Sequence, residues 1–133
     1  MIRRRKGDTR RGLAVVEVAV CLPVLTLLVF GAIEASSYIF LKQSLNVAAY
    51  EAVREAVRRD ATNQTAVARA EVILNARGVR GFEVNLPTGA LADARRGQLV
   101  RVEVTAPAAD NSPLAGSFVP TRLLSSAVTM IKE

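Results

Sequence analysis

The sequence contains no histidine and no tryptophan, a single cysteine, and only four Phe and two Tyr residues. Without histidine, the commonest general acid/base and metal ligand is missing. One cysteine, Cys21, excludes an internal disulfide framework and a cysteine-based zinc site. Its neighbours are apolar, and it is expected to act as a small buried apolar residue. No side-chain cluster has a spacing that catalysis requires, so neither enzymatic activity nor a cofactor, metal or small-molecule substrate is expected. A chain of 133 residues suits one small domain, or one segment plus a small domain.

Basic residues are plentiful, but unevenly placed. The formal net charge is +6 and the pI about 10.4. Six of the 18 basic side chains (Arg3, Arg4, Arg5, Lys6, Arg10 and Arg11) lie in residues 1–12, against Asp8 alone. Residues 13–133 are nearly neutral, with 12 basic and 11 acidic side chains. Nucleic-acid binding calls for a basic face across a folded domain, and the body has none. A basic tail beside an apolar run reads instead as a topological anchor, with the N-terminus cytoplasmic and the remainder carried across the membrane.

That run is Leu13 to Ile33, with Glu17 its only charged residue. As a helix it would span about 31 Å, near the hydrocarbon thickness of a bilayer. Pro23 and Gly31 are better tolerated in a membrane span than in a soluble helix. Pro23 lacks a backbone donor and is expected to bend the helix. From Glu34 to Arg59 there is no Pro or Gly. Tyr38, Leu41, Leu45, Ala48, Ala52 and Ala56 recur at helical spacing, with Lys42, Asn46, Arg54 and Arg58 on other faces. This predicts an amphipathic continuation with an Ala-rich stripe. Glu51 with Arg54, and Glu55 with Arg58 and Arg59, are neighbours on a helix surface and read as a solvated face.

Asp60-Ala-Thr-Asn63 interrupts the pattern and offers capping oxygens. A second helix is predicted over 64–76, with Val67, Ala70, Ile73 and Leu74 on one side and Gly78 and Gly81 ending it. Asn63-Gln-Thr65 matches the glycosylation sequon and is read as chance plus capping. Phe82, Val84 and Leu86 alternate as a first strand, and Pro87-Thr-Gly89 makes a turn. Residues 90–98 read as a polar loop. Val100, Val102 and Val104 alternate most cleanly, as a second strand. Residues 107–120 read as a Pro-rich loop. Residues 122–131 are a third strand with Leu124, Ser126, Val128 and Met130 on one face, or else a short helix. The expected fold class is α+β: a long N-terminal helix, a second short helix and a small antiparallel sheet of about three strands. The expected divisions are 1–12 basic leader, 13–33 membrane helix, 34–60 amphipathic continuation and 61–133 head. Residues after Asp60 alone would bury only a modest core, so the strands are expected to pack on the Ala-rich end of the long helix.

Glu17 is the expensive residue, because a carboxylate in a span is destabilising unless paired or protonated. The sequence holds a way to make a partner. Gly12 lies between Arg11 and the apolar run. A cut after it would make Leu13 the first residue and Glu17 the fifth, with a new cationic amino terminus at the membrane surface. In a helical assembly, each Glu17 could meet the amino group of an adjacent subunit and fix the axial register. Without a cut, Glu17 would snorkel to the cytoplasmic interface.

A basic leader ending in Gly, an apolar run and Glu five residues after that Gly resembles the prepilin-peptidase pattern of type IV pilins and pseudopilins. The closer resemblance is to the TadE-like minor pseudopilins of the tight-adherence (Flp, type IVc) pilus system. It is carried by Gly12-Leu-Ala-Val-Val-Glu17-Val-Ala19, Pro23-Val-Leu25, Gly31-Ala-Ile-Glu34 and Ala48-Ala-Tyr-Glu-Ala-Val-Arg54, with Ser126-Ala-Val-Thr-Met130 less distinctive. Val18 stands where pilins often carry Phe, and Ala52-Val53 where the family commonly has Gly-Ala before Arg; both keep an apolar helix. The resemblance implies cleavage between Gly12 and Leu13 by a prepilin peptidase. It also implies a subunit-pairing role for Glu17, and as partners other pilins and pseudopilins, the inner-membrane assembly platform and the lipid bilayer. The head would be periplasmic, with incorporation into an extracellular pilus as a further possibility. Glu34 would be a second contact or a solvated interfacial carboxylate.

Three other readings stand beside this one. A single-pass membrane-anchored binding protein differs only in leaving Gly12 uncut. Thr9-Arg-Arg-Gly-Leu13 resembles the start of a twin-arginine signal, but Ile33-Glu-Ala35 is a poor signal-peptidase site. A lipoprotein signal ending at Cys21 would need a small residue where Val20 stands.

Overall fold

The computed structural model describes residues 8–87, 89, 91–114 and 122–133, with the side chains of 8–11 and 92 left aside. Most of the basic leader, Thr88 of the expected turn and residues 115–120 of the Pro-rich loop therefore lie outside the described residues. The architecture is α+β, as the sequence predicts. Helix α1 (Asp8–Ala56) and helix α2 (Asn63–Ala76) are followed by strands β1 (Glu83–Asn85), β2 (Leu99–Pro107) and β3 (Leu123–Ile131). The strands form one antiparallel sheet in the order β1-β2-β3, a meander.

α1 is a single helix of 49 residues, about 73 Å long at 1.5 Å per residue, with Pro23 inside it. It has two halves with opposite environments. Residues 12–33 are exposed around the whole circumference. A helix that is apolar on every side and uncovered by protein suits lipid rather than water. Cys21, expected to be buried, is exposed on this half because no part of the protein core reaches it. From Leu41 onward α1 becomes the spine of the head. Leu41, Leu45, Ala48, Ala49, Ala52, Val53 and Ala56 are buried in the core. The buried stripe is wider than the one predicted, taking in Ala49 and Val53 because two layers cover it rather than one. Tyr38, expected on that stripe, is only half-buried.

One of those layers is α2. Thr62 caps its N-terminus reciprocally: the Thr65 N–H donates to Thr62 Oγ1 at 3.2 Å and the Thr62 N–H to Thr65 Oγ1 at 3.1 Å. The buried face is Ala66, Ala70 and Leu74, with Ile73 partly covered. This face is rotated from the predicted one, leaving Val67 at its margin. Small Ala side chains let α2 approach the equally Ala-rich face of α1 closely. At the other end, Gly78 takes φ +68° and the Val79 N–H reaches the Leu74 carbonyl at 3.0 Å. Val79 and Leu74 are both buried, which completes a hydrophobic C-terminal stop.

The other layer is the sheet. Val100, Val102 and Val104 are fully buried against the helices, while Leu99, Arg101 and Glu103 point away from the core or lie at its margin. Val104 pairs with Val84 on β1 and Ser126 on β3, and Val102 pairs with Val128. β3 is thus a strand and not a helix, with Leu124, Ser126, Val128 and Met130 on the inward face as predicted. The 90–98 connection is less polar than expected. Its 3-10 turn (Leu91–Asp93) drives Leu91 into the core at 2% exposure. Asn63 holds that turn down: the Leu91 N–H donates to Asn63 Oδ1 at 2.7 Å, and Asn63 Nδ2 donates to the Gly89 carbonyl at 3.2 Å.

Candidate functional site

The residues singled out by sequence lie along the exposed N-terminal half of α1. Gly12, Leu13 and Glu17 fall within its first three turns, and all three are exposed. A Cβ built on Gly12 would meet nothing within 4 Å. The glycine is therefore not needed by packing within this chain. Glu17 makes no ion pair or hydrogen bond among the described residues. Leu13 and Glu17 are four residues apart, so they stack on one face of the helix. Pro23 lies two turns further on, and near it Thr26 Oγ1 donates to the Leu22 carbonyl at 2.8 Å. Ser36 and Ser37 donate likewise to the carbonyls of Ala32 and Ile33. Each hydroxyl is thus satisfied within the helix, as a lipid-exposed segment requires. α1 carries a stretch long and apolar enough to cross a membrane, and none of it is buried by protein.

Glu34 is brought into contact with the head. Ser112 Oγ donates to Glu34 Oε1 at 2.5 Å, across 78 residues of sequence. The second oxygen, Oε2, is buried with no hydrogen-bond partner among the described residues. The half-buried Glu34 is therefore neither a simple solvated carboxylate nor a free contact. Nothing in the sequence near Ser112 signalled this docking.

Further along, the predicted Glu51–Arg54 and Glu55–Arg58 pairs form on the surface, while Arg59 forms no ion pair with Glu55 among the described residues. Arg58 Nη1 lies 3.0 Å from Glu55, and Arg54 lies 3.8 Å from Glu51. Arg69 of α2 also reaches Glu51 at 3.2 Å, tying the helices together. Lys42 and Asn46, read as solvent-facing, instead flank the sheet: Lys42 Nζ donates to the Ser125 carbonyl, and Ser126 Oγ donates to Asn46 at 3.2 Å. Sequence reasoning also missed Lys132, which is 6% exposed. Its ammonium donates to the carbonyls of Ala56 at 3.1 Å and Arg58 at 3.0 Å, where α1 ends. A cation there satisfies carbonyls without intrahelical partners and complements the helix dipole. α1 ends at Ala56, short of Arg59. The only signal was a lysine one residue beyond a predicted strand. No group of three His, Cys, Asp or Glu side chains able to hold a metal occurs among the described residues.

The model of the TadE-like protein family matches residues 12–54. The match begins at Gly12 and ends at Arg54, which is the stretch whose residues carry the resemblance read from sequence. It links the chain in general terms to the tight-adherence (Flp) pilus systems, and it covers the exposed half of α1 and most of its buried half. No curated protein and no solved structure matches the chain.

Proposed function

We propose that the chain is a minor pseudopilin of a tight-adherence pilus. In this reading it is made in the bacterial inner membrane with its N-terminus cytoplasmic and its head periplasmic. A prepilin peptidase removes residues 1–12, and the mature subunit helps initiate, prime or cap a pilus with other pilins and the assembly platform. It is the substrate of an enzyme and not itself one.

The observation that carries this reading is the bare end of α1. Gly12, Leu13 and Glu17 lie exposed at the start of a lipid-length helix whose far half is the core of a folded head. The packing of the head makes no use of Gly12 or Glu17, so their presence calls for partners outside the chain. Once Leu13 carries a free amino group, that cation lies within the same few turns as Glu17. A neighbouring subunit displaced along the axis can then pair the two charges in a medium of low dielectric, which fixes register where apolar packing alone specifies it poorly.

Gly12→Val tests the processing step. A branched side chain at the residue before the scissile bond is expected to block the peptidase, leaving the full-length mass in membranes. Because a Cβ at Gly12 meets nothing in this chain, the variant is expected to fold and insert normally. A mature mass equal to that of wild type would reject this cleavage site.

A further inference from the structure

Between Glu17 and Lys42 the sequence carries one charged side chain, Glu34. It follows the apolar run directly, about 1.5 Å along the axis from Ile33. A bare carboxylate at that height would break an otherwise uncharged helix surface where lipid ends. The head covers it: Ser112 Oγ donates to Glu34 Oε1 at 2.5 Å, and Glu34 Oε2 is buried.

The same bond sets the height of the turn after β2. Ser112 and Pro113 line an open groove with Ile33, Ser36 and Ser37 of α1, which Arg77 and Arg80 also border. Residues 33–37 rise about 6 Å along the helix axis. The head-group layer on each side of a bilayer is about 5–8 Å thick, so the turn stands within its depth. Pro113 and Leu114 come next and are both exposed, Leu114 at 41%. Two residues of chain keep the Leu114 Cα within about 8 Å of the Ser112 Cα. From Asn111 to Leu114 the turn carries no charge. Its exposed apolar surface is continuous with that of the span, because Ile33, the last residue of the run, is itself exposed and borders the groove beside Pro113. Uncharged apolar side chains at this height gain by lying among head groups and upper acyl chains rather than in water.

We propose that the turn Ser112–Leu114 is a second membrane contact, with Pro113 and Leu114 resting in the head-group layer of the leaflet on the head side, next to the point where α1 emerges. The partner is the lipid surface itself. The contact is apolar and independent of lipid charge. Together with the span it attaches the head at two points, which fixes its tilt on the bilayer. The proposal rests on the reading of α1 as a membrane span.

The test is fluorescence quenching of the full chain in vesicles of phosphatidylethanolamine and phosphatidylglycerol. The background is C21S, and a single bimane-labelled cysteine is placed by L114C, V24C, V72C or L99C. Val24 lies in the span. Val72 lies between the contacts Arg69–Glu51 and Arg77–Ser44, and Leu99 pairs with Ile131 beside Lys132, so both stand higher on the head. The label at L114C is expected to lose emission when the lipid carries a nitroxide near its head-group end, and to be blue-shifted relative to V72C and L99C, which are expected to keep theirs. The V24C label is expected to be quenched by a nitroxide near the acyl methyl end. Equal quenching of L114C in vesicles of phosphatidylcholine alone is expected from an apolar contact. Quenching that requires phosphatidylglycerol, or an L114C label no more quenched than V72C and L99C while V24C is quenched, would overturn the second contact alone. A V24C label that no lipid nitroxide quenches would overturn the membrane span and the second contact together.

Discussion

The Ser112 hydroxyl donates to Glu34 Oε1 at 2.5 Å, joining the turn after β2 to the residue that follows the apolar run of α1. Through this bond the lower edge of the head is fixed to the helix at the point where it leaves the membrane in the proposed topology. A hydrogen bond to a carboxylate contributes more than one between neutral groups, because the acceptor carries full charge. Glu34 Oε2, buried beside it without a partner among the described residues, makes the arrangement sensitive to change on either side.

Ser112→Ala is therefore expected to lower the stability of the head by about 2 kcal/mol. Thermal unfolding of the full chain in detergent, followed by circular dichroism, reads this as a drop in melting temperature. An unchanged melting curve would mean that the Ser112–Glu34 contact does not hold the head to α1.

Lys132→Met keeps the buried stem and removes the ammonium that serves the Ala56 and Arg58 carbonyls. The Ala56 carbonyl then loses its donor, while the Arg58 carbonyl keeps only the Ala61 N–H at 3.3 Å. A loss of about 1–3 kcal/mol is expected in denaturant titration. A midpoint equal to wild type would show that water replaces the lysine at no net loss.

Val102 lies on the central strand β2, paired with Val128 of β3 and fully buried against the helices. Val102→Asp puts an unpaired charge into that core and is expected to abolish cooperative melting of the head, since the penalty exceeds several kcal/mol. Retained cooperative melting would mean that the inward face of β2 is assigned to the wrong side.

Glu17→Ala is expected to leave both folding and cleavage intact, because the exposed Glu17 makes no ion pair or hydrogen bond among the described residues and is not at the scissile bond. Pilus assembly is expected to fail or weaken, as counted by electron microscopy or sheared-pilin yield. Normal pili with alanine at this position would remove the charge-pairing role.

The parts of the fold that rest on periodicity were legible from the amino acids. Val100, Val102 and Val104 alternate so cleanly that strand, face and burial could all be read, and the Ala-rich spacing from Leu41 to Ala56 gave the spine. The parts that rest on distant pairs were not. Leu91 lies in a stretch of polar residues, and only the Asn63 side chain, 28 residues earlier, turns it inward. Lys132 and Ser112 have no local pattern around them; their roles come from where β3 and the turn after β2 end in space. Of the candidate site, Gly12, Leu13 and Glu17 were found through spacing against the apolar run, which is a property of one continuous helix. The groove under Arg77 and Arg80 was invisible because it exists only where two turns distant in sequence meet α1.

The most direct measurement is the N-terminal sequence of the protein recovered from membranes of cells with and without a prepilin peptidase. A start at Leu13 that appears only when the peptidase is present is the predicted result. A start at Met1 or Ile2 in both strains would contradict it and leave a plain membrane-anchored head with Gly12 uncut.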